Sequence, residues 1–166
     1  KGIGLLTSVK TSTYYMGFNL LDPVVGGLSP RSTRLRQAIS IAIDQEEYIS
    51  IFSNGRGIAA QGPLPPGIFG YEDGEQGIDG AVYDWVDGKP QRKSVDGGRK
   101  LLAQAGFPNA RDEKTGQPLV LYLDAVQRLR RHFAALDHRP PRDHRQVIAF
   151  RDDFGFAEGE HVVVAG

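Results

Sequence analysis

The chain has 166 residues, with 20 Lys and Arg against 20 Asp and Glu, so no net field draws it to nucleic acid or to an acidic membrane. It contains no Cys, which excludes thiol catalysis, Cys-ligated zinc and disulfides. No apolar run reaches the roughly 18 residues that a membrane helix needs.

In chain order, "KGIGLLTSVK" has neither the long apolar core nor the small-residue cleavage site of a signal peptide. "TSTYYMGFN" (residues 11–19) is rich in β-branched and aromatic residues and predicts a strand. Alternation would put Thr13, Tyr15 and Gly17 on one face and Tyr14, Met16 and Phe18 on the other. "GGLSP" breaks the chain, and Ser29 followed by Pro30 is a helix start. The spacing of Leu35, Ala38, Ile39, Ala42, Ile49 and Phe52 predicts one helix over residues 31–54, ended by Asn54-Gly55. Ile41, Ile43 and Ile51 widen its apolar stripe, so it is expected to be buried on several sides and to be the most protected element.

"AAQGPLPPGIFGY" (residues 59–71) follows, with Pro63 and Pro66 in a formal PxxP pattern. A PxxP ligand is an exposed, extended segment beside a basic residue. Here the flanks are apolar (Ala59, Ala60, Leu64, Ile68, Phe69, Tyr71), which favours a stiff, ordered loop that packs those side chains. Residues 67–92 show no clear period. "SVDGGRKLLAQAGFP" predicts a short helix capped by Ser94 and stopped by Gly106 and Pro108, weakened at Gly97 and Gly98 by about 1 kcal/mol each. "PLVLYLD" is a strand with Leu119, Leu121 and Leu123 on one face, and "AVQRLRRHFAALDH" is a second amphipathic helix.

From Ala125 onward the chain has no Ser, Thr, Asn, Lys or Tyr, but holds all four His and half of the 14 Arg. This stretch is either a compositionally biased end or the product of a GC-rich frame read out of phase, and it is expected to lie outside the cooperative core. His138 and His144 are six apart with two prolines between them, a poor spacing for two metal ligands. Arg128, Arg130, Arg131, Arg139, Arg142 and Arg145 could meet phosphate, but only Phe133 interleaves them, so nucleic-acid binding is a minor alternative. No GxSxG, HExxH, P-loop or GxGxxG occurs, and an enzyme is not expected.

The order "YYMGFN … RLRQAISIAIDQEEYI … GRGIAAQGPLPPGIFGY … RKLLAQAGFPN … PLVLYLD" resembles the bacterial extracellular solute-binding proteins of family 5, the peptide, oligopeptide and nickel class. The resemblance covers roughly residues 11–124. Three features depart from it: Ser32 and Thr33 replace an Asp before the helix, Gly97 and Gly98 replace helix formers, and a loop is missing at Asp124-Ala125.

The resemblance implies an α/β fragment of a two-lobed, type II periplasmic-binding-protein fold, divided into residues 1–124 and a distinct tail, 125–166. It implies a substrate-binding component of an ABC importer, at the periplasmic or extracellular face of the membrane. Its partners would be a peptide or small-molecule ligand and a membrane permease, with no cofactor, metal or nucleic acid. It also implies an interior piece of a longer protein, which would account for the absent signal peptide and initiator Met. The strand holding Tyr15 and Gly17 would border the ligand cleft, making these two residues the candidate ligand contacts. A structural or interaction domain without a ligand is the alternative.

Overall fold

The structure is a computed structural model that describes residues 4, 8–124 and 145–149. The second amphipathic helix and most of the tail, including His138, His144 and all the named arginines except Arg145, lie outside the described residues.

Residues 12–19 form neither helix nor strand, and they join no ladder among the described residues. The strand predicted at 11–19 therefore does not form as such. Strand propensity reflects packing against neighbouring strands, and here only Phe18 reaches the core. The chain then turns sharply. The Asp22 carboxylate accepts from the amides of Val24 (2.8 Å) and Val25 (3.0 Å), and the Asp22 carbonyl accepts from Gly26 (3.0 Å). A Cβ on Gly26 would lie 2.2 Å from the Asp22 carbonyl oxygen, so the turn admits only glycine.

Helix α1 (Pro30–Ala42) starts where the sequence predicts, with Ser29 Oγ accepting from the Ser32 amide at 3.1 Å. Its buried face carries Leu35, Ala38, Ile39 and Ile41. Arg36 Nη1 donates to the carbonyls of Val25 (2.7 Å) and Gly27 (2.8 Å), tying the turn to the helix.

The single long helix over 31–54 is in fact two. Ile43 leaves helical geometry (φ −82°, ψ 114°), and Asp44 begins α2 (Gln45–Phe52) by accepting from the Glu47 amide at 2.9 Å. The apolar stripe also ends there: α2 has no buried residue, and Ile51 and Phe52 are 61% and 71% exposed. The expectation of one helix buried on several sides holds for α1 only.

Residues 53–82 are turns with one short 3₁₀ turn, Gly74–Gly77. The proline segment bends at Gly67 and Gly70, both at φ +88°, and the Ile68 amide donates to Pro65 O at 3.3 Å. Phe69 is fully exposed and Leu64 and Ile68 are exposed, so the expected packing of these three is not seen. Ala59, Pro65, Pro66 and Tyr71 are half-buried.

A hairpin follows in a region where no period was legible: β1 (Tyr83–Val86) and β2 (Lys89–Arg92), antiparallel with Tyr83 opposite Arg92. Its turn residues, Asp87 (φ 51°) and Gly88 (φ 76°), both take the left-handed conformation that a two-residue hairpin demands.

Helix α3 (Val95–Gln104) is capped by Ser94, whose Oγ accepts from the Gly97 amide at 3.2 Å. It packs across α1, burying Leu102 and Gly98. A Cβ on Gly98 would sit 3.2 Å from Ile41 Cγ2 and 3.6 Å from Ala38 O, whereas one on Gly97 would meet nothing closer than Ser94 Oγ at 3.7 Å. The two glycines therefore differ in kind. Gly97→Ala is expected to raise stability by about 0.5–1 kcal/mol through helix propensity. Gly98→Ala should lose that gain to the displacement of Ile41. Urea denaturation of the two variants checks this, and equal stabilisation would contradict a glycine-mediated helix crossing.

After α3, Phe107 and Ala110 close the core and the chain enters β3 (Val120–Asp124). This strand pairs antiparallel with β4 (Arg145–Ala149), Val120 opposite Ala149 and Asp124 opposite Arg145. Leu119 and Leu121 point inward and Tyr122 outward, the predicted alternation. The core joins α1, α3 and β3 through Leu35, Ala38, Ile39, Leu102, Phe107 and Leu121, with Phe18, Val24 and Val25 packed against it.

Candidate functional site

Three places bear on function. The first is the segment at residues 12–19, which holds the two residues expected to face a ligand. Tyr15 is 87% exposed, and a Cβ on Gly17 would meet nothing within 4 Å. Tyr14 is exposed beside Tyr15, while Phe18 anchors the segment to the core. Among the described residues, Tyr15 and Gly17 thus stand open to solvent.

The second is an open groove of about 400 Å³ between α1, the start of the hairpin and the first turn of α3. Ile41 and Leu101 form apolar lining, and Gln37, Asp84, Lys93 and Ser94 the polar part; neither Tyr15 nor Gly17 lines it. Lys93 Nζ donates to the Gly80 carbonyl and lies 3.7 Å from Asp84 Oδ1. Its charge and donors are therefore already engaged within the fold.

The third is a polar cluster at the junction of α1 and α2. Arg92 Nη1 pairs with the Asp44 carboxylate, and Nη2 donates to the Ile41 carbonyl at 2.6 Å. One guanidinium thus serves both a C-terminal carbonyl of α1 and the capping residue of α2. Next to it, Tyr83 Oη donates to Glu46 Oε1 at 2.7 Å. Burial, then the bond to Glu46, pushes the Tyr83 phenol well above its ordinary value, so it stays a protonated donor. Gln61 Oε1 accepts from the Asp79 amide at 3.2 Å and brings the proline segment to the same end of the hairpin.

Sequence reasoning did not find Tyr83 or Arg92. Asp87-Gly88 was the available signal, since a two-residue turn there places these two residues opposite one another. Elsewhere, Arg31 stacks over the Phe107 ring (4.5 Å to the centroid) and pairs with Asp112 at 3.6 Å. The Asp112 carboxyl is held below its usual range, first by the amides of Thr115 and Lys114. Among the described residues, no three His, Asp or Glu gather as a metal site, and no helix is long and apolar enough to cross a membrane.

The mixed helices and short strands, with the family match, make this part of a type II periplasmic-binding-protein fold, the architecture of solute-binding proteins. The profile of "Bacterial extracellular solute-binding proteins, family 5 Middle" matches residues 1–136, and the chain belongs to that family. It is 35% identical over 78 residues to heme-binding protein A of Haemophilus influenzae, a match covering 47% of this chain and 12% of that relative. The chain therefore spans only a small part of the curated relative it matches. No solved structure matches it.

Proposed function

We propose that this chain is part of the substrate-binding component of an ABC importer, taking up a peptide or similar small solute without chemistry on it. It would act at the periplasmic or extracellular face of the membrane and hand its ligand to a membrane permease. The single observation that carries this is the family match across residues 1–136. Tyr15 and Gly17 are the proposed ligand contacts, supported by their exposure beside Phe18, which packs against the core. A tyrosine ring there offers apolar area with a polar tip, and glycine leaves room beside it. The name of the Haemophilus influenzae relative favours heme as a second ligand class. The composition change at Ala125 supports a division into residues 1–124 and 125–166.

A two-lobed site derives its affinity from burying about 70–90% of the ligand surface. One exposed tyrosine supplies about 1–2 kcal/mol, far from the ~8 kcal/mol of a micromolar complex. Calorimetry of this chain with a random peptide mixture, and separately with hemin, is therefore expected to show no saturable heat. In NMR titrations at millimolar ligand, the favoured ligand class should shift the amides of residues 13–18, an effect lost in Tyr15→Ala. Shifts confined to the groove at Lys93 would overturn the assignment of Tyr15 and Gly17. Micromolar binding abolished by Tyr15→Ala would overturn the expectation of weak binding.

A further inference from the structure

We propose that residues 44–58 form a strap that opens as one unit from the rest of the chain, latched by Asp44–Arg92 and Glu46–Tyr83. Three observations lead there. First, no residue of α2 is buried, whereas α1 immediately before it buries five. Apolar burial is what ties a helix to a body, and α2 has little of it.

Second, the segment is closed on itself. The Tyr48 and Phe52 rings lie 4.8 Å apart, and the amides of Ser53 and Gly55 both donate to the Ile49 carbonyl at 3.0 Å. Gly57 folds back so closely that a Cβ would be 3.1 Å from Ile49 Cγ2. A piece with its own internal contacts moves as one body rather than fraying residue by residue.

Third, polar contacts at its ends reach the hairpin region. At the start, Asp44 meets Arg92 and Glu46 meets Tyr83. Just past its end, Gln61 meets the Asp79 amide. The non-helical Ile43 supplies the pivot. Among the described contacts, those between the strap and the hairpin region are polar, whereas α1 is held by the core, so the strap opens at lower free energy than α1. Opening it leaves the α1–α3 core and the hairpin intact.

Native-state hydrogen exchange on the full chain tests this. The amides of α2 are expected to exchange through a shared opening, well ahead of those at residues 35–42 of α1. Asp44→Asn keeps a capping side chain but removes the charge that pairs with Arg92. Tyr83→Phe keeps the ring but removes the donor to Glu46. Each should speed α2 exchange about five-fold, the worth of one net hydrogen bond, and leave α1 unchanged. Exchange of α2 at the rate of α1 in the unmodified chain would overturn the strap. So would variants that leave α2 unchanged, or that speed both helices equally.

Discussion

Leu35→Ala is expected to lower the unfolding free energy by about 3 kcal/mol, within the 2–5 kcal/mol range of buried leucine truncations. Leu35 is fully buried, in the cluster where α1, α3 and the segment leading to β3 meet. Its loss removes the transfer free energy of the deleted carbons and leaves a cavity that two packed helices can close only in part. Single domains have a total stability of about 5–15 kcal/mol, so this one change removes a large share. Urea denaturation of Leu35→Ala beside Ile51→Ala is the measurement. Ile51 belongs to the same widened apolar stripe in the sequence but stands exposed on α2, and its truncation should cost less than about 1 kcal/mol. Equal losses at the two positions would mean that α2 is buried as deeply as α1.

Arg92→Met should cost about 2 kcal/mol. The change removes one charge-assisted bond to Asp44 and one to the Ile41 carbonyl, each worth about 1.5–3 kcal/mol in favourable cases. Three terms reduce the total. Asp44 is 39% exposed and can be hydrated once its partner is gone. Methionine retains the apolar stem. The Arg92 Nε is itself buried with no partner among the described residues, a desolvation penalty that the substitution relieves. Arg92→Lys should recover only part of the loss, because one ammonium lacks the planar fork that reaches two acceptors on two elements. Thermal denaturation of both variants distinguishes these contributions. Full recovery by lysine would show that charge alone, not the fork, holds the junction.

The two core helices were legible because their signals agreed. Ser29-Pro30 and Ser94 mark the starts, Leu35, Ala38 and Ile39 fall at helical spacing, and Gly106 and Pro108 mark the end of the second. The break at Ile43–Asp44 was hidden because Ile49 and Phe52 continue the apolar spacing past it. The opposing signal was also present: Asp44 with Glu47 three residues on has the pattern of a fresh capped start. The hairpin was missed for a different reason. Its strands are four residues each, one holds Pro90, and most of its side chains are exposed, so no period develops. The 11–19 strand erred the other way, because β-branched and aromatic content does not supply a neighbouring strand. Of the candidate site, Tyr15 and Gly17 rested on resemblance. The Arg92 and Tyr83 contacts depend on pairings across 48 and 37 residues of chain, which local pattern cannot reveal.

The crossing of α1 over α3 also sets a timetable. About 50 residues separate the end of α1 from the start of α3, and bringing such distant segments together costs roughly 3–4 kcal/mol of loop-closure entropy before any contact forms. At a synthesis rate of ~5–20 residues per second, a nascent chain carries Leu35, Ile39 and Ile41 uncovered for several seconds before Leu102 leaves the ribosome. For that interval the α1 stripe is an open invitation to aggregation or to a chaperone. The α1–α3 core therefore closes only once "RKLLAQAGF" has emerged.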